Sequence, residues 1–584
     1  MKIKVSVLFS ISFLLMAAPV QSATVLRPNV PAGRWKVGYR IVTFHDPERD
    51  GRPVQLTVWY PARPDATSPR VLFRTYVDNY FVPETGGAPN PTEREADYSR
   101  QTFPDAAKDD VLRLLNSETT SYQDASPTPG KYPVVLFATG GGGTPLTHSP
   151  TCELLASYGY YVFTVPSIGR EGIPAYLDAI TLDQKVRDLE TAFTLAKDYP
   201  YADFSQLVVG GFSLGGGTAI VFAQRHPGVK GVISLDGSFG FEPYLSFHGN
   251  NGPFEEYRVR CPLLHINVAG YPYNDLHLVD ALVFSDRVVI SLPNAAHHSF
   301  VAGDLIASIV RGSMTQEYRV AYEFICKSMI DFVGSTVGQG RPWDMARFRS
   351  TLQVPQGAAI NTYRAMSAPP LEPEIYTLLL SSGGIRKLRA EYDAVQKLHP
   401  SVRFARESVI EAAATQLRLQ HRLDEAVAAC EWNVQQYPGS WRAENALAAA
   451  FKERNDIPLA VEHYRRSLTL QKNMEAQMAL QKLSDLNAHK QKAENRSHGG
   501  RLLPQIGLNR PPQMVKDRGR CGSKRNHITN WRIEESEQHP RNATGRNAPL
   551  RFQPVIPVVL FRATHRLPRR ACRNSGNCWN SSRN

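Results

Sequence analysis

Cysteine is scarce in this sequence and shows no pattern typical of a disulfide framework. The 584 residues include seven cysteines, and only four of them precede residue 489, widely spaced and without a C-x-x-C pair. Small disulfide-stapled folds are therefore excluded. A single disulfide in an oxidising compartment stays open, and the spacing assigns no pairing.

The sequence also lacks the short motifs that bind common cofactors. It contains no P-loop and no dinucleotide fingerprint, and its His, Cys, Asp and Glu residues form no cluster with the spacing of metal ligands. We therefore predict a protein that uses neither a cofactor nor a metal.

Long apolar runs are limited to one, at residues 5–18. Two lysines precede this run, and a proline and two small residues follow it, which is the order found in secretory signal peptides. The run is short for a membrane span, which needs ~20 residues. We predict a signal peptide at residues 1–23, a secreted or periplasmic protein and no transmembrane segment.

Acidic residues are scarce only at the C-terminus, and this explains the basic net charge. Residues 490–584 carry 20 Lys and Arg but 5 Asp and Glu, whereas the whole chain has a net charge of +13. The remainder of the chain therefore has a net charge of about −2. The high overall charge is thus poor evidence for a nucleic-acid enzyme, and no nucleic-acid partner is expected.

The most informative stretch is QLVVGGFSLGGGTAI, at residues 206–220. Its β-branched beginning predicts a buried strand, and its glycine-rich end opens a helix. Between them lies a G-x-S-x-G motif, which in this strand–turn–helix context presents a nucleophilic serine. Ser213 is therefore the predicted nucleophile.

Strands and helices alternate on both sides of this motif. Apolar runs that predict strands lie at residues 134–138, 160–165, 207–209, 229–235, 263–268 and 288–292. The alternation predicts an α/β fold with a doubly wound, mostly parallel sheet and helices on both faces. Residues 33–62 predict an antiparallel hairpin at the sheet edge, and residues 63–128 a long insertion with one helix at 106–115.

A serine nucleophile needs a base to take its proton and a carboxylate to orient that base. His297 and His298 follow the last predicted strand, and only one of two adjacent side chains can reach Ser213. The candidate carboxylates are Asp236, Asp275 and Asp280. Asp236 is favoured because it follows its strand immediately, where functional residues of such sheets collect.

A run of four glycines, at residues 140–143, directly follows the predicted strand at 134–138. Bare backbone allows several N–H groups to crowd around a developing negative charge. This run therefore predicts a loop that supplies one donor of an oxyanion hole.

Five segments resemble secreted platelet-activating-factor acetylhydrolases and related dienelactone-hydrolase-like esterases: WYPA (59–62), FATGGG (137–142), GFSLGG (211–216), LD (235–236) and HHSF (297–300). The similarity covers about residues 33–305. It implies an α/β-hydrolase fold with Asp236 as the acid and His297, rather than His298, as the base. The oxyanion donors of that family correspond to the N–H groups of Gly141 and Leu214.

Two positions depart from the family pattern. Phe212 stands where the nucleophile motif usually has a histidine, and Thr139 stands where the oxyanion loop often has one. Both departures leave the choice of substrate open. Polyester hydrolases share the longer glycine pattern after the serine, so polymer esters stay an alternative.

A second region follows a proline-rich segment at residues 369–373. Five positions recur 34 residues apart: Leu423, Ala426, Val427, Cys430 and Val434 correspond to Ile457, Ala460, Val461, Tyr464 and Leu468. This period is typical of tetratricopeptide repeats, and we predict such an all-α domain at 369–487. The repeats indicate either a groove for a protein partner or a packing or dimerisation module.

The sequence thus predicts a hydrolase domain at residues 24–368, the repeats, and a disordered basic tail at 488–584. We expect a secreted serine hydrolase that cleaves short-acyl or phospholipid-type esters through an acyl-enzyme, with a small-molecule ester or lipid as its substrate. The alternatives are a peptide-binding repeat protein with a non-catalytic hydrolase scaffold, a peptidase, or a polyester hydrolase of the same fold.

Overall fold

The computed structural model describes residues 25–79, 90–167, 179–239, 254–271, 275–338, 340–400 and 402–498. The predicted signal peptide lies outside these ranges, as does the predicted tail from residue 499 onward. The chain divides into two compact units, Met1–Tyr437 and Pro438–Asn584. The predicted domain boundary at residue 369 stays a prediction.

The described part of the first unit is built on a twelve-stranded sheet. Its strands in chain order are β1 (Lys36–Asp46), β2 (Arg52–Arg63), β3 (Arg70–Leu72), β4 (Glu118–Gln123), β5 (Ser126–Pro127), β6 (Tyr132–Ala138), β7 (Tyr161–Val165), β8 (Ala202–Phe212), β9 (Gly231–Leu235), β10 (Leu263–Val268), β11 (Arg287–Leu292) and β12 (Ala359–Tyr363). Across the sheet the order is β12-β11-β10-β9-β8-β6-β7-β2-β1-β4-β3, and β5 pairs with β2.

The six central strands, from β11 to β7 in that order, are parallel. β12 and β2 run antiparallel to their neighbours on either side. The chain passes from β6 to β7 on one side and then returns to β8 on the other side of β6, so the strand order reverses between β6 and β8. The predicted α/β-hydrolase fold, with its mostly parallel sheet, is confirmed, and its ligand crevice is expected at this reversal.

Helices cover the sheet and form the C-terminal region. In the first unit they are α1 (Phe73–Asp78), α2 (Pro91–Thr102), α3 (Lys108–Leu115), α4 (Ser149–Ser157), α5 (Ala179–Ala196), α6 (Leu214–Arg225), α7 (His277–Ala281), α8 (Gly303–Arg311), α9 (Gln316–Thr336), α10 (Met345–Thr351), α11 (Glu372–Leu380), α12 (Gly384–Leu398), α13 (Glu407–Leu419) and α14 (Leu423–Gln436). The second unit contains α15 (Trp441–Glu453), α16 (Ile457–Leu470) and α17 (Met474–His498).

Both faces of the central sheet are buried, and alternate residues of β6 pack into the two cores. Val134 and Leu136 pack into the core that α5 and α6 cover, whereas Val135 and Phe137 pack into the core on the opposite face. Strands that are buried on both faces are apolar at every position instead of at alternate ones. This is why the central strands were recognisable as continuous apolar runs.

The sheet margin differs from the sequence prediction. β1 and β2 do form the predicted antiparallel hairpin, but the hairpin is not at the sheet edge, because β4 pairs with β1 and β3 pairs with β4. Both added strands come from the segment predicted to be an insertion, and they are short and flanked by polar turns. That segment also contains α1 and α2 beside the predicted helix, which is α3.

The C-terminal region is helical, as predicted. α14 begins at Leu423 and α16 begins at Ile457, so corresponding helices recur after 34 residues. In the second unit, the core of α15, α16 and α17 includes Ala448, Tyr464 and Ala476. α17 continues to His498, past the predicted start of the tail. The assignment to tetratricopeptide repeats stays a prediction.

The described residues form neither a disulfide nor a helix able to span a membrane. The four cysteines in the described ranges are free thiols: Cys152, Cys261, Cys326 and Cys430. No described helix combines the length and the hydropathy that a bilayer span requires.

Candidate active site

Ser213 lies at the turn between β8 and α6, with backbone angles φ 54° and ψ −122°. Such a backbone costs of order 1–3 kcal/mol for a residue with a side chain. Two glycines make the turn tight. A Cβ on Gly211 would lie 2.1 Å from the carbonyl oxygen of Gly215, and one on Gly215 would lie 2.1 Å from that of Ala138. The motif therefore forms the strained strand–turn–helix bend expected of a G-x-S-x-G serine.

The close approach at Gly215 predicts a large loss of stability in Gly215→Ala. The added methyl group collides with backbone atoms of β6 and not with a flexible side chain, so we expect the free energy of unfolding to fall by about 3 kcal/mol. Gly228→Ala is the matched control, because a Cβ there meets nothing within 4 Å. Urea unfolding measures both, and equal stability of the two variants would contradict the described turn.

His297 begins a short 3₁₀ turn, His297–Phe300, shortly after β11. Its Nε2 lies 3.0 Å from Oγ of Ser213, and its Nδ1 lies 2.5 Å from Oδ2 of Asp236. Phe300 is buried and stacks on Phe212, which holds the turn against the serine loop. The side chain of His297 is 31% exposed, so the imidazole is accessible from solvent.

His298 faces a different carboxylate. Its Nε2 lies 3.3 Å from Oδ2 of Asp304, and its side chain is 64% exposed. The hydrogen bond with Asp304 raises the pKa of His298 above its usual value. The structure therefore brings His297 to Ser213 and directs His298 to the first turn of α8.

Asp236 follows β9 directly and is almost completely buried, with a side chain 1% exposed. Its Oδ1 accepts a hydrogen bond of 2.9 Å from the N–H of Val268, which fixes the carboxylate behind the imidazole. The other two candidates, Asp275 and Asp280, are exposed, and Asp275 accepts a hydrogen bond from the backbone of His277. Of the three predicted carboxylates, the structure places Asp236 against the histidine.

The glycine run after β6 forms a turn beside Ser213. The N–H of Gly143 donates to the carbonyl of Gly140, and Gly142 has a φ of 63°, which leaves Gly141 at the other central position. A Cβ on Gly140 would lie 3.4 Å from Cβ of Ser213. The predicted donor Gly141 thus belongs to a turn adjacent to the serine.

Leu214, the other predicted donor, is the first residue of α6. The N-terminus of a helix carries a partial positive charge and favours an anion. The two predicted donors therefore follow neighbouring strands, β6 and β8, where the strand order reverses.

The prediction from sequence missed two side chains, Ser238 and Tyr271, that contact Ser213 and His297. Oγ of Ser238 lies 3.1 Å from Oγ of Ser213. The ring of Tyr271 stacks on His297 with centroids 5.3 Å apart and planes at 10°, and the ring of Phe212 lies 4.7 Å from the same imidazole. Ser238 and Tyr271 follow β9 and β10, so their position at strand ends was the available signal.

This geometry supplies the elements of a nucleophilic mechanism. A carboxylate that accepts from Nδ1 keeps the imidazole in the tautomer whose Nε2 can accept the serine proton. Serine hydroxyls are weak nucleophiles until such a base is present. Within the described ranges, no group of three His, Cys, Asp or Glu side chains is arranged to hold a metal ion.

Comparison with known proteins gives one family match. Residues 120–248 match the model of the dienelactone hydrolase family, which is less than a quarter of the chain and includes Ser213 and Asp236. No curated protein matches the sequence. Among solved structures, the chain is similar to a ferulic acid esterase from Streptomyces cinnamoneus, with 19% identity, a TM-score of 0.42, and coverage of 58% of this chain and 99% of that one.

Proposed function

We propose that this protein hydrolyses carboxylic esters through a covalent acyl-enzyme on Ser213. The observation that carries the proposal is the continuous series of hydrogen bonds from Asp236 through His297 to Ser213, with 2.5 Å and 3.0 Å between the paired atoms. The match of residues 120–248 to the dienelactone hydrolase family supports an ester-cleaving α/β hydrolase.

The reaction follows from the positions of these atoms. Oγ of Ser213 attacks the ester carbonyl carbon while its proton moves to Nε2 of His297, and the carbonyl oxygen becomes an oxyanion. The N–H groups of Gly141 and Leu214 stabilise that oxyanion. His297 returns the proton to the leaving alkoxide, which departs as the alcohol and leaves the acyl-enzyme.

Water completes the cycle. His297 takes a proton from the water that attacks the acyl-enzyme, and it then returns the proton to Oγ of Ser213 as the carboxylic acid leaves. Asp236 keeps its charge throughout and stabilises the imidazolium that forms twice per turnover. No step requires a metal or a cofactor.

The substrate class we propose is a short-acyl or phospholipid-type ester of a small molecule or lipid. The support is the resemblance of the motifs to platelet-activating-factor acetylhydrolases, and the aromatic rings of Phe212 and Tyr271 beside the imidazole. We also propose export from the cytoplasm, which the pattern of residues 1–23 supports. N-terminal sequencing of the exported protein should begin after that segment.

The direct test is turnover on a panel of p-nitrophenyl esters, phospholipids, polyester films and peptide amides. We expect ester cleavage with a burst of p-nitrophenol equal to the enzyme concentration, because the acyl-enzyme accumulates when deacylation is slower. Faster cleavage of amides would indicate a peptidase. Absence of all turnover, with a partner retained by the C-terminal helices, would indicate a binding protein.

Asp236→Asn is predicted to lower kcat by about 10⁴-fold, because an amide that donates to Nδ1 favours the wrong tautomer of the imidazole. Asp275→Asn is the matched control, since Asp275 is exposed and pairs with the backbone of His277. We expect the control to keep kcat within about twofold. Steady-state kinetics on a p-nitrophenyl ester measure kcat of both variants. Similar kcat values for Asp236→Asn and Asp275→Asn would remove Asp236 from the mechanism.

A further inference from the structure

Lys185 on α5 is a buried lysine that the mechanism above does not use. Lys185 is only 4% exposed. Its neighbours on the helix belong to the core between α5 and the sheet: Leu182, Val186 and Leu189. Burial lowers the pKa of Lys185 to about 7. A lysine is rarely buried without a specific partner, because removing its charge from water is costly.

Its hydrogen-bond partner is the backbone that leads into the glycine turn. Nζ of Lys185 donates to the carbonyl oxygen of Thr139 at 3.0 Å. Thr139 follows β6 and directly precedes the turn that contains Gly141. The buried amino group of Lys185 therefore contacts the loop that we propose to bind the oxyanion.

Two ionisable side chains lie near Lys185, and neither replaces the carbonyl of Thr139 as the hydrogen-bond partner of its Nζ. Asp188, one turn later on α5, is held by Arg49 and Arg52 at 2.7 Å and 2.8 Å. His148, before α4, has its pKa lowered to about 3, mainly by burial and also by the charge of Lys185. It is therefore neutral at physiological pH.

Within the described residues, both ends of this turn make further hydrogen bonds. The hydroxyl of Thr139 lies within hydrogen-bonding distance of two carbonyl oxygens, that of Gly143 at 3.1 Å and that of Val165 on β7 at 3.3 Å. The N–H of Ser167 also donates to the carbonyl of Gly143, at 2.8 Å. These contacts join the two ends of the turn to each other and to the chain around the end of β7, but none of them involves the carbonyl of Thr139. The contact from Lys185 holds its near end, next to Ser213.

We propose that Lys185 is a positioning residue of the oxyanion loop, whose bond to the carbonyl of Thr139 holds the N–H of Gly141 in place. The inference rests on the proposed ester hydrolysis. Oxyanion donors act in the transition state, and a displacement of about 1 Å can cost about 10²-fold in rate. Loss of Lys185 should therefore lower kcat and leave substrate binding unchanged.

The test compares Lys185→Met with wild type in the full chain. Methionine fills a similar volume without the donor, and the carbonyl of Thr139 that loses its partner is expected to cost some stability. We expect kcat on p-nitrophenyl butyrate to fall about 10- to 100-fold while KM stays within about threefold. Phosphonylation of Ser213 by a fluorophosphonate, which uses the same oxyanion hole, should slow by a similar factor.

Two further variants complete the design. Lys185→Gln keeps an N–H donor and should recover part of the lost kcat. Lys197→Met removes an exposed lysine just after the same helix and should leave kcat and KM unchanged.

An unchanged kcat in Lys185→Met, or a raised KM with kcat intact, would overturn the inference. If that variant does not fold, Lys185→Leu, which also lacks a donor, decides by the same two constants. Turnover that persists in Ser213→Ala would instead overturn the proposed function, so the two failures are distinguishable.

Discussion

Ser213→Ala is expected to reduce kcat on p-nitrophenyl esters by about 10⁵- to 10⁶-fold, to the level set by the oxyanion hole and binding alone. The reason is that the proposed mechanism forms the acyl bond at Oγ of Ser213, which lies 3.0 Å from Nε2 of His297. A fluorophosphonate probe followed by peptide mapping should label the wild-type chain at residue 213 and leave the variant unlabelled.

Ser238→Ala is the control that the structure offers, because Oγ of Ser238 lies 3.1 Å from that of Ser213. Its loss removes one hydrogen bond to the nucleophile, worth about 1 kcal/mol, so kcat should fall by no more than about tenfold and labelling should persist. The assignment of the nucleophile is wrong if the probe labels Ser213→Ala as fast as wild type, or if the label maps to Ser238.

His297→Ala is expected to lower kcat by about 10⁶-fold, nearly as much as loss of the serine, because nucleophile and base act as one unit. His298→Ala should keep kcat within about threefold. The two residues are adjacent, have the same side chain and share one turn. The comparison therefore tests where the imidazole lies and not whether an imidazole is present.

The difference rests on which carboxylate each imidazole meets. His297 contacts the buried Asp236, whereas His298 contacts the partly exposed Asp304 on α8. Steady-state kinetics of the two variants, with circular dichroism to verify folding, measure the effect. A larger loss in His298→Ala would reassign the base and would also remove Asp236 as its orienting group.

Ser213 could be predicted as the nucleophile from sequence because the structural context of its motif is local. A β-branched run, two glycines that allow a tight bend and a helix-opening glycine run all lie within residues 206–220, and each acts on its neighbours along the chain. The same holds for the central strands, which are apolar at every position because both faces are covered. These features predicted the parallel sheet and the end of it at which the site would form.

The sheet margin was less accessible to such reasoning. β3 has three residues and β4 has six, and neither is apolar throughout, since each lies beyond the double-sided core. Their pairing with the hairpin depends on contacts between segments far apart in the chain. Composition therefore indicated an insertion where the structure has an extension of the sheet.

The choice between His297 and His298 also depends on contacts between segments that are far apart in the chain. Residue spacing left both open, and a family resemblance favoured His297. Ser238 contacts Ser213, Tyr271 stacks on His297 and Lys185 contacts the carbonyl of Thr139, and these three side chains come from different strand ends and helices. No local pattern marks them, because their proximity arises only when the strands lie side by side.

By itself, the sequence determined the strand–turn–helix that strains Ser213, the parallel arrangement of the sheet and the short set of residues able to assist the serine. These depend on backbone conformation and on burial along continuous segments. Only the tertiary structure decided which imidazole reaches the hydroxyl, which carboxylate lies behind it and which lysine donates to the carbonyl of Thr139. Those choices depend on distances of a few ångströms between residues up to 84 positions apart, and such distances exist only in the packed fold.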